Sequence, residues 1–205
     1  MEKQYFDFPS LYRKGTAFVD AGCYDASNSY AFSTWCGGDY SQIFAFGPDP
    51  SNYAACLEKA KSIPNFNLIK AGLAERSGTA KFIATGDTGL GSGHLRTPNS
   101  ENTLPNKAER EITIQTTMID EVVGDTTVGM IKMAVEGMEF ATLQGAEHTI
   151  QRDKPLLAIC VFSRPGDAPV FMDYLQRIVP EYRFLLRQYA GPTSREAVLY
   201  ASVDL

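Results

Sequence analysis

Four apolar runs in this chain alternate with segments that have the spacing of amphipathic helices. The runs read as strands buried on both faces, at 16–22, 41–46, 128–135 and 154–162. Helical spacing follows each of them, at 27–36, 51–63, 139–152 and 168–179. Strands that alternate with helices predict an α/β fold, a mostly parallel sheet with helices on both faces.

Shorter patterns complete this prediction. Residues 66–73, 78–84 and 110–117 read as further strands, and the last pair of segments, 182–190 and 196–203, reads as an antiparallel hairpin. Ser51 is a candidate N-cap for the second helix. The glycine-rich stretch 85–107 is predicted to be a long loop, of the kind that closes over a ligand.

The topology predicts where a ligand would bind. In open parallel sheets, ligands lie at the carboxyl ends of the strands. We therefore expect one rim, formed by the loops that follow five positions in the chain: Val19, Phe46, Ala71, Val135 and Phe162.

Composition narrows the function classes. The 205 residues carry a net charge of −5 with scattered Lys and Arg, which argues against nucleic acid as a partner and against a membrane surface. We expect one domain over 1–205, with an N-terminal lead at 1–15. We also expect a cytoplasmic protein, and the sequence does not determine its oligomeric state. The cysteines form no CxxC pair and the two histidines lack ligand spacing, so we expect reduced thiols and no metal site.

The end of the first strand carries candidate ligand contacts. Asp20 is placed to orient the turn, and Gly22 allows the backbone to approach a ligand closely. The alternative is an ordinary strand–helix turn in which Gly22 is needed sterically and Asp25 caps the helix. The motif is not GxGxxG, which makes NAD a poor candidate.

Several segments in one order and spacing resemble the FkbM-type methyltransferases. They are "FVDAGCYDASNS", "IFAFGPDPSNY", "IKAGLAERSGTAKF", "TTMIDEV", "IKMAVEGMEFATLQGAE" and "KPLLAICVF", within a resemblance that runs from Thr16 to Val203. The resemblance implies a Rossmann-like fold that binds S-adenosylmethionine (SAM) and transfers a methyl group, mostly to a hydroxyl of a small or sugar-like molecule. It implies cofactor contacts at Asp20, Gly22, Asp25 and Asp49, although Asp49 between two prolines also reads as a turn residue.

The chain departs from the family pattern at the expected rim. Ala26 stands where the family has Gly, Gly47 where it has the Glu that holds the ribose hydroxyls, and Ala134 where it has Asp. Ser163 replaces a His, and Gln188 stands where a His is frequent. Each change removes a group with a chemical role, so we expect a preserved fold with weak or absent SAM binding and impaired or absent catalysis.

Two residues remain as candidates for a base. Glu136 follows the vacated Asp position and also reads as an acid in the first turn of a helix, and His94 lies in the long loop. We expect Glu139 to be solvated or paired with a basic residue, and Lys132 to form a structural ion pair. Two other functions stay open: an active SAM-dependent O-methyltransferase, and a non-catalytic ligand-binding or scaffold protein.

Overall fold

The fold was analysed in a computed structural model that describes residues 4–84, 94–95, 110–189 and 196–205. The strands, in chain order, are Ala17–Ala21 (β1), Ile43–Phe46 (β2), Phe66–Ile69 (β3), Gly72–Leu73 (β4), Gly78–Ala84 (β5), His94–Leu95 (β6), Arg110–Thr117 (β7), Val128–Met133 (β8), Leu156–Cys160 (β9), Arg183–Tyr189 (β10) and Glu196–Ser202 (β11). The α-helices are Ser27–Trp35 (α1), Pro50–Ala60 (α2), Ile119–Val123 (α3), Glu139–Gln144 (α4), Glu147–Asp153 (α5) and Asp167–Ile178 (α6).

The main sheet has the order β10-β11-β9-β8-β1-β2-β3. The pairs among β1, β2, β3, β8 and β9 are parallel, whereas β11 runs antiparallel to both β9 and β10. β1, β2, β8 and β9 are buried along their whole length, which explains why each is a continuous apolar run. The predicted α/β class, the mostly parallel sheet and the terminal hairpin are confirmed.

A second sheet, of order β4-β7-β5-β6, was not predicted. The segment 66–73 reads as one strand in the sequence, but it splits between the two sheets. The break occurs where the Ala71 N–H donates to the Ile69 carbonyl oxygen at 3.0 Å, a tight turn that redirects the chain. Most of the loop predicted at 85–107 lies outside the described residues; within it, β6 pairs with β5.

Two helix boundaries differ from the predicted ones. α2 begins at Pro50, so Ser51 lies inside the helix instead of capping it. The predicted helix 139–152 is two helices, α4 and α5, separated at Gly145. A Cβ added at Gly145 would lie 2.2 Å from the carbonyl oxygen of Ala74, so the chain packs there against the segment after β4.

Two hydrophobic clusters cover the two faces of the main sheet. Val19 belongs to one of them, and its neighbour Phe18 to the other, as expected for alternate side chains of a strand. Tyr5, Phe6 and Tyr12, which fall within the predicted N-terminal lead, are buried in the cluster that contains Phe18. The lead is therefore part of the core on that face.

No helix among the described residues is both long and apolar enough to cross a membrane.

Candidate functional site

A cleft opens at the carboxyl ends of β1, β2, β3 and β8. It encloses about 650 Å³, including the part open to solvent. Its wall is formed by residues 22–24, 46–49, 71–73, 134–136 and 138, together with Leu68 of β3, Phe82 of β5 and the first turns of α2. Four of the five loops predicted to form the rim thus meet; the loop after Phe162 does not contribute to the wall.

Gly22 is where the cleft wall depends on glycine. Its φ is +91°, and an added Cβ would lie 2.0 Å from the carbonyl oxygen of Ala134. The N–H groups of Gly22 and Cys23 both donate to the carbonyl oxygen of Phe46, at 3.2 and 2.8 Å. The turn after β1 therefore holds the ends of β2 and β8 together, and only glycine allows this approach.

Asp20 lies behind this turn and does not line the cleft. Its carboxylate is fully buried, forms an ion pair with Lys132 at 3.1 Å and accepts a hydrogen bond from the Ser29 hydroxyl at 2.7 Å. The Lys132 ammonium also donates to the carbonyl oxygen of Gly22 at 3.0 Å. The predicted ion pair of Lys132 is confirmed. Asp20 does not contact the cleft itself, but Lys132 links it to the Gly22 carbonyl oxygen in the cleft wall.

Asp25 and Ala26 are also outside the cleft wall. Asp25 accepts hydrogen bonds from the Ser27 N–H and hydroxyl, at 2.9 and 2.7 Å, and pairs with Lys59 at 2.9 Å. Ala26 is the N-cap of α1, buried, with a left-handed φ of +61°. Asp25 thus binds the first N–H of the helix from the position before the N-cap, so it is not the N-cap itself, and Ala26 occupies a backbone conformation that favours glycine.

Gly47 and Ala134, two of the vacated positions, do line the cleft. Gly47 directly follows β2, and a Cβ added there would lie 3.3 Å from the Cys23 sulfur and 3.4 Å from the Cys23 carbonyl oxygen. Ala134 follows β8, and its N–H donates to the Ala21 carbonyl oxygen at 3.0 Å. A longer side chain at position 47 would therefore need Cys23 to shift by a few tenths of an ångström.

Asp49 is the buried acid of the cleft wall, with 4% of its surface exposed. It directly precedes α2, and its carbonyl oxygen accepts the Tyr53 N–H at 3.1 Å. Asn52 and Tyr53 line the wall beside it and were missed in the sequence. Their position in the sequence could have indicated this role, because the first turn of a helix that follows a strand end faces the rim.

Glu136 lines the cleft from a strained turn. Its φ is +51°, that of Gly137 is +92°, and the Glu136 side chain is exposed. Glu139 supports this turn: its carboxylate accepts the N–H groups of Val135 and Gly137, at 3.0 and 2.9 Å. The expectation that Glu139 is solvated or paired with a basic residue is wrong, since it is 1% exposed and burial raises its pKa.

The remaining candidates lie away from the described wall. Ser163 is beside Gly137 but outside the cleft, and its buried hydroxyl oxygen has no hydrogen-bond partner in the described part of the chain. His94 pairs through its backbone with Ile83 of β5; its side chain is outside what the structure describes. Across the described ranges, no three potential metal ligands come together.

The residues present meet the requirements of SAM only in part. The close-packed Gly22 turn and the apolar wall of Phe46, Leu68 and Leu73 suit an adenosine-sized group. The end of β2, however, offers Gly47 and the Cys23 sulfur in place of a carboxylate. Among the described lining residues, the carboxyl groups are those of Asp49 and Glu136. The apolar wall thus suits part of the cofactor, but the end of β2 lacks the carboxylate expected to hold the ribose.

Solved structures with this fold include methyltransferases. An FkbM methyltransferase from Methylobacillus flagellatus KT aligns with a TM-score of 0.74 and 21% identity, over 96% of this chain and 46% of that one. This chain therefore spans about half of that protein. An rRNA methylase from Streptococcus thermophilus aligns with a TM-score of 0.57 and 14% identity, over 98% and 96% of the two chains.

A third structure contains the cofactor. Fibrillarin from Aeropyrum pernix, in complex with natively bound S-adenosyl-L-methionine, aligns with a TM-score of 0.54 and 10% identity, over 93% of this chain and 67% of that one. At these identities the likeness establishes the fold, a Rossmann-like methyltransferase fold.

A sequence search among curated proteins found no significant match. The family model described as "Methyltransferase FkbM domain" matches residues 20–186, which include the end of β1, the cleft and the first four residues of β10. The chain belongs to the FkbM methyltransferase domain family.

Proposed function

We propose that this chain is an FkbM-type domain that keeps the fold and the cleft but binds SAM weakly or not at all and is inactive or strongly impaired in methyl transfer. One observation carries the proposal. Gly47 and Ala134, the residues at the ends of β2 and β8, both line the cleft and have no functional group.

The expected loss of affinity follows from Gly47. Glycine cannot accept hydrogen bonds from the ribose hydroxyls, and hydrogen bonds to a charged acceptor contribute about 1.5–3 kcal/mol. Such a loss corresponds to roughly 10- to 100-fold weaker binding. The Cys23 sulfur beside this position is a weak acceptor and does not replace a carboxylate.

The expected loss of catalysis follows from Ala134 and Ser163. Ala134 has no group to accept a proton from a hydroxyl or to orient it. The Ser163 hydroxyl does not titrate near neutral pH and lies outside the cleft wall.

A second candidate function is an active O-methyltransferase for a small hydroxyl-bearing or sugar-like acceptor. Asp49 and Glu136 favour it, since both carboxyl groups belong to the cleft wall. Asp49 would then hold the cofactor and Glu136 would act as the base. Methyl transfer from a sulfonium depends mainly on positioning, so a single well-placed base would suffice. A binding module without chemistry is the third candidate, favoured by the size and apolar character of the cleft.

Calorimetric titration with SAM tests the proposal. The chain is compared with the double variant Gly47→Glu/Ala134→Asp, and with Gly47→Gln/Ala134→Asn as a control of matched shape without charge. We expect the double variant to bind at least about tenfold more tightly than the chain, with the control in between or unchanged. Circular dichroism first verifies that each variant is folded, because Cys23 must make room at position 47.

Micromolar binding by the unmodified chain would overturn the proposal. Transfer of a labelled methyl group to any hydroxyl compound, lost on Glu136→Gln, would establish the second candidate. The third candidate, a binding module, would be favoured by two results together. The Gly47→Glu/Ala134→Asp variant would fail to bind SAM, and the chain would bind another small molecule in the cleft.

A further inference from the structure

Two cysteines face each other in the cleft wall. Cys23 lies in the turn after β1 and Cys56 in α2, and their sulfur atoms are 3.9 Å apart. The two residues are 2% and 1% exposed, and both line the cleft. The pair has no role in the methyl transfer considered above, and its spacing of 33 residues gave no signal in the sequence.

The two thiols differ in acidity. Their mutual hydrogen bond lowers the pKa of Cys56 and, together with burial, raises the pKa of Cys23 well above the usual value. The Cys56 thiol donates to the Cys23 carbonyl oxygen at 3.1 Å, and in the contact between the two sulfur atoms either one can be the donor. Cys56 is thus the thiol that ionises first, and thiolates are the reactive form.

We propose that Cys23 and Cys56 form an oxidation site for small hydroperoxides, closing to an intrachain disulfide in the wall of the cleft. Both residues line the cleft, which is the route by which a molecule the size of hydrogen peroxide would reach them. The sulfur atoms, now 3.9 Å apart, must approach to about 2.05 Å for the bond to form.

The reaction takes two steps. The Cys56 thiolate attacks one peroxide oxygen, so that an S–O bond forms, the O–O bond breaks and the departing hydroxide leaves as water with the thiol proton. The Cys23 sulfur then attacks the Cys56 sulfur, so that the S–S bond forms and the S–O bond breaks. The second hydroxide leaves as water with the Cys23 proton. Two thiols are oxidised, and one peroxide is reduced to two waters.

The other two cysteines provide an internal comparison. Cys160 has the Tyr5 hydroxyl as its partner at 3.1 Å, and burial raises its pKa to about 11. Cys36 contacts the Ser33 carbonyl oxygen at 3.5 Å, and burial raises its pKa as well. Neither of these sulfur contacts is with another sulfur, so neither residue is set up for a disulfide.

Oxidation would change the cleft beside Gly47. The Cys23 sulfur stands 3.3 Å from the position of a Cβ at residue 47, so its movement toward Cys56 reshapes that part of the wall. The cross-link would also tie the turn after β1 to α2, which restricts the unfolded chain and raises the thermal midpoint. The inference does not depend on SAM binding.

The test treats the purified full chain with hydrogen peroxide at stoichiometric to tenfold excess. We expect the intact mass to fall by the mass of two hydrogen atoms, and peptide mapping to recover a Cys23–Cys56 cross-link that dithiothreitol reverses. Cys36→Ser is expected to behave like the parent chain, and Cys56→Ser is expected to form no intrachain cross-link. Mapping of the unmodified chain gives a result even if a variant fails to fold.

Three results would overturn the inference. One is a cross-link that involves Cys36 or Cys160, and another is a disulfide between two chains. The third is oxidation of Cys36 to oxygenated forms while Cys23 and Cys56 keep their free thiols.

Discussion

At the scale of single residues, the cleft depends on how closely two backbones approach. Gly22 and Gly37 both have positive φ, at +91° and +68°. An added Cβ at Gly22 would collide with the Ala134 carbonyl oxygen, whereas one at Gly37 would meet nothing within 4 Å. A substitution at Gly37 therefore tests the unfavourable backbone conformation alone, whereas one at Gly22 tests that conformation together with a steric clash.

We expect Gly22→Ala to lower the free energy of unfolding by more than about 3 kcal/mol, because it adds overpacking to the unfavourable φ. Gly37→Ala serves as the control and is expected to lower it by about 1–2 kcal/mol, from the φ alone. Urea unfolding followed by circular dichroism measures both. Equal losses would show that the contact between Gly22 and Ala134 does not hold the cleft wall.

At the scale of elements, the end of α5 is tied to the start of β8. The Asp153 carboxylate accepts the Val128 N–H at 2.8 Å and pairs with Arg152 at 2.7 Å. The Arg13 guanidinium donates to the carbonyl oxygens of both Val128 and Asp153. Burial acts to raise the pKa of Asp153, but the hydrogen bonds from Arg152 and Val128 outweigh it, and the pKa lies below its ordinary value.

This lowered pKa predicts a loss of stability in acid. An acid whose pKa is lower in the folded state stabilises the fold above its unfolded pKa, and the contribution disappears as the pH falls through the folded value. We expect Asp153→Asn to lower the free energy of unfolding by about 1–2 kcal/mol at pH 7, a difference that shrinks below about pH 4.

Urea unfolding of both proteins between pH 3 and pH 7 measures this effect. Asp25→Asn, at a half-buried acid whose pKa is also lowered, is the comparison and is expected to have the smaller effect. A difference between Asp153→Asn and the parent chain that stays constant with pH would contradict the assignment.

At the scale of the whole molecule, the N-terminal segment completes the core. Phe6 is 4% exposed and packs against Phe18, Phe32 and Trp35, with ring centroids 5.4–6.2 Å apart. Tyr189 donates to Asp7 at 2.5 Å, and Arg187 pairs with the same carboxylate at 2.9 Å. The segment thus links α1 to the terminal hairpin across one face of the sheet.

We expect Phe6→Ala to lower the free energy of unfolding by about 3–5 kcal/mol, as for large buried aromatic side chains. Phe162→Ala removes the same atoms from a side chain that is 40% exposed, and we expect a change of less than about 0.5 kcal/mol. Thermal and urea unfolding compare the two variants. A small effect at Phe6 would mean that the N-terminal segment is dispensable for the fold.

Resemblance to family motifs identified the family, while the local pattern of the sequence determined the fold class, most of the strand–helix order and most of the rim. These follow from apolar runs and turn residues, whose local conformational preferences are set within a few residues. The position of Gly47 and Ala134 at the rim could likewise be predicted, since strand ends in a parallel sheet meet at one edge.

Tertiary structure alone decided which side chains reach the cleft. Asp20 and Glu139 are polar residues near the rim, but packing turns the first toward Lys132 and the second toward two backbone N–H groups. Cys23 and Cys56, far apart in the chain, meet only because α2 returns to the turn after β1. The physical reason is that burial and partners depend on contacts between distant segments, which no local pattern encodes.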